Sequence, residues 1–293
     1  MNGKLETIEQ HISKTIDKHI SFHKSSAVSG GCISQSFKVT DTNKNQWFIK
    51  TNSPSSFAMF EAESEGLAEI QKSTSIRTPK VICHGKNNQI SYLVLEYIEL
   101  RPQLNQIETG KQLAAMHQHH SDQFGWKRNN TIGSTPQLNQ KNTDWLSFWK
   151  TQRLLFQLDL AKTIGYSNKA YDCGLELINH LAEFFVGYTP QASLLHGDLW
   201  GGNCASDETG NPVIFDPAVY FGDRETDLAM TELFGGFSAE FYASYNDHYP
   251  LDFGYKTRKQ LYNLYHILNH FNLFGGGYAS QAENMTLQLL AEI

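Results

Sequence analysis

The sequence predicts an α+β chain in two lobes, a small β-rich lobe over residues 1–100 and a larger, mainly helical lobe over residues 101–293. Three observations predict it. Short apolar runs with strand character crowd into the first hundred residues, interrupted by one helical pattern. Arg101-Pro102 then breaks the strand pattern and marks the connection between lobes. Beyond it the apolar residues recur mainly at helical spacing.

Taken in order, Leu5, Ile8, Ile12, Ile16 and Ile20 open the chain as an amphipathic helix. Residues 28–39 read as strand, glycine-containing turn and strand, and residues 41–45 as a polar turn. Trp47-Phe48-Ile49-Lys50 is a third strand that ends on a lysine. Phe57, Phe60, Leu67 and Ile70 give a second helix, which carries Glu61, Glu63 and Glu65. Residues 79–83 and 90–96 supply two more strands, so the first lobe mixes a sheet with helix.

In the second lobe, Ile107, Leu113, Ala114 and Met116 mark one helix, and Trp145, Phe148, Trp149 and Leu155 another. The aromatic residues of the latter are expected in the core. Leu175, Ile178, Leu181 and Phe185 follow, then a two-strand insertion over residues 194–216, and helices resume over 228–233, 241–245, 261–271 and 285–290. A loop over residues 121–143 is rich in Gly, Asn, Pro and Gln and long for a connector, which favours a binding role.

Composition bounds the function. With 40% hydrophobic and 18% charged residues over 293 positions, the chain can bury a sizeable core. A net charge of −6 without a basic run argues against nucleic acid or an anionic membrane as partner. No apolar run approaches the ~20 residues of a membrane span, and no signal-peptide pattern opens the chain. Cys32, Cys83, Cys173 and Cys204 are scattered without a CxxC pair, which argues against zinc or a disulfide framework and predicts a cytoplasmic setting.

The chemistry concentrates in Leu194-Leu195-His196-Gly197-Asp198-Leu199-Trp200-Gly201-Gly202-Asn203, followed by Val213-Ile214-Phe215-Asp216. Asp198 and Asn203 have the Asp-x-x-x-x-Asn spacing of a phosphoryl-transfer loop, and Asp216 stands where a second metal-binding carboxylate follows. One carboxylate accepts the acceptor's hydroxyl proton; an amide oxygen and a second carboxylate hold Mg²⁺ on the phosphates of ATP. Upstream, Gly30 and Gly31 let backbone N–H groups approach phosphates, and Lys50 pairs with a helix glutamate about 13 residues on. Spacing alone leaves Glu61, Glu63 and Glu65 open. This order of parts is that of a kinase-like phosphotransferase, and no Walker motif competes with it. His196 reads as a residue that orients the loop, since Asp198 already fills the place of the base. The histidines in Met116-His117-Gln118-His119-His120 read as helix-end residues without a metal.

A family resemblance rests on these residues. His196-Gly197-Asp198-Leu199-Trp200-x-Gly202-Asn203, Asp216-Pro217-Ala218 and Tyr220-x-Gly222-Asp223-Arg224-Glu225-x-Asp227-Leu228 closely resemble the fructosamine kinase (ketosamine-3-kinase) family. So do Gly31-Cys32-Ile33-Ser34, Gly133-x-x-Pro136-Gln137-x-Asn139, Arg153-Leu154 and Leu268-Asn269-His270-x-Asn272. The resemblance implies the aminoglycoside-phosphotransferase variant of the protein-kinase-like fold, with nucleotide held between the lobes. Its register in Met59-Phe60-Glu61-x-Glu63 selects Glu63 as the partner of Lys50. It implies ATP- and Mg²⁺-dependent phosphorylation of the 3-hydroxyl of a ketoamine, either a small molecule or a glycated lysine on a protein. Asp198 is then the base, and Asn203 and Asp216 the metal ligands. Gly30, Gly31, Cys32, Ile33 and Ser34 form the nucleotide turn, with adenine read by backbone around Glu96, Tyr97 and Ile98. Trp200, Asn269 and His270 are expected to border the acceptor.

Two other readings share the motifs: a kinase of the aminoglycoside or choline type, and a non-catalytic pseudokinase. Trp200 and the loop over residues 133–139 favour the ketoamine reading over the first, and the presence of Lys50, Asp198 and Asp216 argues against the second. Cys32, beside Gly31 in an electropositive turn, is a redox candidate, so the chain is expected to be a monomer or a Cys32-linked dimer.

Overall fold

Alternation along one strand decides what the first unit presents. The computed structural model describes residues 2–28 and 33–293. The chain begins α1 (Asn2–Ile16), β1 (Phe22–Val28), β2 (Gln35–Asp41), β3 (Gln46–Asn52), α2 (Phe57–Ser73), β4 (Val81–Lys86) and β5 (Ser91–Glu96). Its strands form an antiparallel sheet in the order β1-β2-β3-β5-β4. Successive strand side chains point to opposite faces. Trp47 and Ile49 therefore pack with Ile8 and Ile12 of α1, while Phe48 joins Phe60 and Leu67 of α2. Lys50, two residues on from Phe48, is delivered to the α2 face.

The rest of the chain runs α3 (Gln106–His117), β6 (Asn130–Ile132), β7 (Thr135–Gln137), α4 (Trp145–Trp149), a π-helical turn (Lys150–Leu154), α5 (Leu155–Thr163) and α6 (Asn168–Asn179). It continues with β8 (Ser193–Leu195), β9 (Cys204–Ser206), β10 (Pro212–Ile214), β11 (Tyr220–Gly222), α7 (Glu225–Leu233), α8 (Ala239–His248), α9 (Tyr255–Phe274) and α10 (Tyr278–Leu290). Helix α9 is the axis of the second unit, burying Leu261, Tyr262, Leu264, Tyr265, Ile267 and Leu268. Trp145, Phe148 and Trp149 are core residues, as expected; the Trp149 and Tyr262 ring centroids stand 4.9 Å apart. Among the described residues no helix is long and apolar enough to cross a membrane.

Three expectations need correction. The units divide as residues 1–105 with 204–217, and residues 106–203 with 218–293, rather than by one cut after residue 100. The β9–β10 hairpin joins the first unit because Arg101 N donates to Ser206 O (2.8 Å) and Ile214 N to Arg77 O (3.0 Å). The insertion over residues 194–216 is not one strand pair, since β8 pairs with β11 and β9 with β10. The loop over residues 121–143 is not structureless either, for it contains the β6–β7 hairpin.

Close helix packing in the second unit depends on Gly110 of α3. A Cβ there would stand 2.4 Å from Phe241 O and 2.9 Å from Tyr245 N, both backbone atoms of α8. Alanine gains about 1 kcal/mol of helix propensity over glycine. Forcing two backbones apart costs about 1–3 kcal/mol, so the clash wins. Gly110→Ala is expected to lower the denaturation midpoint; a raised midpoint would contradict the observed α3–α8 approach.

Candidate active site

In the first unit a lysine is held between two carboxylates. Phe60 and Leu67 mark the buried face of α2, and Glu63 lies three residues after one and four before the other, on that same face. Glu61 and Glu65 fall to either side of it, so helix geometry makes the choice that spacing left open. Lys50 Nζ donates to Glu63 Oε1 at 2.7 Å and to Asp216 Oδ1 at 2.5 Å. Burial alone would push the ammonium pKa down. The two carboxylates outweigh it, Asp216 first and then Glu63, and the net shift is upward. Glu63 is itself raised, because its burial outweighs the attraction of Lys50. Asp216 sits at φ 59°, in the left-handed region. That conformation costs a non-glycine residue about 1–2 kcal/mol, and here it accompanies delivery of a half-exposed carboxylate to Lys50.

Of the expected nucleotide turn, Gly30, Gly31 and Cys32 lie outside the described residues. Its far side is anchored to β3, where Asn52 Nδ2 donates to Ile33 O (3.0 Å) and Ser34 Oγ (3.3 Å). Glu96 closes β5 with both groups engaged. Its N–H donates to Lys80 O at 2.9 Å, and its Oε1 accepts from Arg77 at 3.1 Å. The Glu96 N–H is therefore committed within the fold. Tyr97 lies under Lys38 Nζ, 3.9 Å from the ring centroid, and donates its hydroxyl to Glu99.

The second unit holds the His-Gly-Asp loop, gripped from below by a residue that motif spacing did not single out. Asp227 of α7 is 1% exposed and accepts from two successive backbone groups, His196 N (2.7 Å) and Gly197 N (2.8 Å). His117 Nε2 lies 3.2 Å from the same carboxylate, and its Nδ1 lies 2.8 Å from Tyr245 Oη, which accepts from Arg224. A carboxylate only accepts, so Nε2 carries the proton, and Nδ1 receives the Tyr245 hydroxyl. Burial lowers the His117 pKa and keeps the ring neutral. Burial would raise that of Asp227, but the bonds from His117 and Gly197 and the nearby His196 bring it below the ordinary value. Gly197, at φ 82°, can be nothing larger: a Cβ would stand 2.1 Å from Ala218 O. His196 is fully buried, and its Nδ1 accepts the Asp198 N–H at 3.3 Å, in keeping with an orienting role.

Asp198 is half-buried above this frame. Asn203 Nδ2 donates to Asp198 O (2.9 Å) and Oδ2 (3.2 Å), which turns the amide oxygen of Asn203 to other use. Trp200 lies over Gly202, where a Cβ would meet the indole at 2.2 Å. His270 projects from α9 beside Phe234, with ring centroids 5.0 Å apart. Asn269 is placed differently from the expectation. It is 2% exposed and accepts from Gln157 Nε2 at 3.3 Å, within the helix packing rather than at an acceptor surface.

The loop over residues 121–143 also departs from its expected binding role. Gln137 and Asn139 are each 1% exposed. Gln137 donates to Ala218 O (3.0 Å), Asn130 to Val219 O (2.8 Å), and Asn139 accepts from the buried Arg153 (2.8 Å). The amides of Gln137 and Asn130 thus brace the chain just before β11. No group of three or more His, Cys, Asp or Glu suited to a metal occurs among the described residues, the histidines at the end of α3 included.

An ion-paired lysine on a five-stranded sheet and a rigid His-Gly-Asp loop among helices define a protein-kinase-like phosphotransferase. The chain belongs to the fructosamine kinase family, which matches it over residues 4–292. It is 45% identical over 288 residues to a Synechocystis protein named a probable ketoamine kinase, covering 97% of this chain and 96% of that one. It is 41% identical to the chloroplastic protein-ribulosamine 3-kinase of Arabidopsis thaliana, covering 88% and 80%. Among solved structures, a candidate fructosamine-3-kinase of Haemophilus somnus superposes with a TM-score of 0.87 at 29% identity, over 97% and 96% of the two chains. The choline kinase LicA of Streptococcus pneumoniae shares the fold, with a TM-score of 0.64 at 17% identity over the whole of both chains.

The grip of Asp227 can be tested by an isosteric change. An asparagine offers one acceptor oxygen and an NH₂ group, so at least one of its three donors is left buried without a partner. Such a loss costs about 1–3 kcal/mol. Asp227→Asn is expected to lower stability by that amount and to depress kcat while the KM for ATP stays near the parent value. Parent-like kcat and midpoint would contradict the assigned role.

Proposed function

We propose that this protein transfers the γ-phosphoryl group of ATP to the 3-hydroxyl of a ketoamine (fructosamine, ribulosamine or erythrulosamine) carried on a small amine or on a glycated lysine. The observation that carries the reading is the Asp198 loop, with a half-buried carboxylate two residues from an indole that is 39% exposed. The names of the relatives at 41–45% identity support it.

In this reading Asp198 orients the sugar hydroxyl and accepts its proton, while the bonds from Asn203 and the backbone grip of Asp227 keep the carboxylate in place. Lys50, fixed by Glu63, neutralises phosphate charge. Asp216 Oδ2 and Asn203 Oδ1 are hard oxygen donors not engaged by Lys50 or Asp198, which suits Mg²⁺, an ion bound through few protein oxygens together with phosphates. Mg²⁺ would spread the charge that develops on the transferred group. The order of the sequence motif, Asp-x-x-x-x-Asn then Asp, is what assigns both residues to it.

The product chemistry gives the reaction its consequence. Phosphate at C3 is a good leaving group beside an enolisable ketoamine. Loss of a C1 proton and departure of phosphate break the C3–O bond, and hydrolysis of the resulting imine frees the amine. One phosphoryl transfer thus leads to deglycation.

The test is ATP consumption against ribulose-, erythrulose- and fructose-lysine, with an aminoglycoside and choline alongside. At least one ketoamine is expected to turn over. Asp198→Asn should reduce kcat by about 10²–10⁴, the usual worth of general-base catalysis. Turnover of the aminoglycoside or choline alone, or parent-like rates in Asp198→Asn, would overturn the reading.

A further inference from the structure

One arginine of the first unit grips the arm that ends on Asp216. Arg77 lies between α2 and β4. Its carbonyl accepts Ile214 N at 3.0 Å, which fixes the last residue of β10. Its guanidinium forks: Nη1 donates to Asp207 Oδ2 at 2.5 Å and Nη2 to Glu96 Oε1 at 3.1 Å. Asp207 opens the turn between β9 and β10, and Glu96 closes β5. The same residue thus ties the hairpin, at its turn and at its exit, to the end of a sheet strand.

The two oxygens of Asp207 divide the work. Oδ1 accepts from Thr209 N (2.9 Å), Thr209 Oγ1 (2.7 Å) and Asn211 N (3.0 Å), and so shapes the turn. An Asx turn needs only one side-chain oxygen, and Oδ2 is given to Arg77. An exposed ion pair contributes little to stability, and the Arg77 side chain is 43% exposed. Asp207, however, is 2% exposed. Its second oxygen has left water and requires a donor, so the pair counts for more than the exposure of Arg77 suggests. A planar fork also fixes direction toward two carboxylates, which the point charge of a lysine does not.

Asp216 inherits its place from this arrangement. It follows Ile214 by two residues, so their Cα atoms are at most about 7 Å apart. Strands β9 and β10 have three residues each, a weak platform by themselves. Strand β5, which Arg77 reaches through Glu96, pairs directly with β3, placing Trp47 opposite Glu96 and Lys50 opposite Leu93. The fork therefore refers the hairpin to the strand pair that carries Lys50. The circuit closes where Lys50 Nζ meets Asp216 Oδ1.

We propose that Arg77 is a positioning residue, which docks the β9–β10 hairpin on the β3–β5 pair and thereby holds Asp216 against Lys50. Its part in the reaction rests on the phosphotransferase reading, to which it adds a residue that touches neither nucleotide nor acceptor.

Two variants cut the clamp from opposite sides. Asp207→Asn keeps Oδ1 for the turn and sets an NH₂ group, itself a donor, against Arg77. Arg77→Met removes the fork and keeps an apolar stem. Lys50 is the reporter, because Asp216 first and Glu63 second hold it as an ammonium. Competitive labelling with acetic anhydride, without metal or nucleotide and read by peptide mass spectrometry, compares Lys50 with the exposed Lys72 and Lys111. Each variant should raise Lys50 labelling relative to these two by about 3- to 10-fold, since a fall of one pKa unit gives about tenfold more free amine. The double variant should add no further rise, as befits two residues acting through one contact. Unchanged Lys50 labelling in both single variants would overturn the proposal, as would additive rises or a rise shared equally by Lys72 and Lys111. Selective labelling of Lys50 in the variants of an enzyme that phosphorylates no ketoamine would uphold the clamp and reject the phosphotransferase reading. Ketoamine turnover by the parent, with Lys50 labelling unmoved in the variants, would do the reverse.

Discussion

The second unit depends on one buried carboxylate. Asp227 accepts the backbone N–H groups of His196 and Gly197. Burying a charge costs several kcal/mol unless donors surround it, so the constraint propagates outward. His117 must offer Nε2–H to Asp227, Tyr245 must satisfy His117, and Arg224 must satisfy Tyr245. Gly197 must be glycine, because the gripped backbone is pressed against Ala218 O. Only then does Asp198 emerge at a fixed place. Its position is set by backbone bonds made before any substrate arrives, which is the kind of preorganisation that phosphoryl transfer rewards.

The first unit solves a related problem with opposite charge. Lys50 is 7% exposed, and it remains an ammonium only because Glu63 and Asp216 flank it. A phosphate oxygen that met Lys50 would find the charge already aimed and partly compensated. Asp216 completes the pairing at the expense of a left-handed backbone. A strained residue of this kind persists only where its surroundings hold it, and here the ion pair with Lys50 does so.

Much of this was legible in the sequence, for identifiable reasons. Period-two patterning placed the strands, and the apolar face of α2 contained the choice of Glu63. The Asp198–Asn203 spacing carried the loop, because both ends of that contact lie five residues apart. What spacing could not show is pairing across long separations. The partners of β8 and β10, and the return of residues 204–217 to the first unit, depend on contacts with Tyr220, Arg77 and Arg101. Asp227 stood within a recognised motif but gave no sign of its role, since its partners are backbone groups without a residue signature. Gln137, Asn139 and Asn269 misled in the other direction. Buried amides that satisfy backbone carbonyls have the same composition as a polar loop or a ligand surface, and only burial tells them apart.

The account is tested most directly by following the phosphate. With ATP and ribulose-lysine, ³¹P-NMR should show a single new phosphomonoester on the sugar C3 oxygen. Free lysine and inorganic phosphate should appear later, with a first-order rate constant for decay of the phosphoester that is the same after the enzyme is removed. Phosphate on another hydroxyl, or a decay constant that rises with enzyme concentration, would contradict the assignment of this loop to 3-hydroxyl transfer followed by spontaneous elimination.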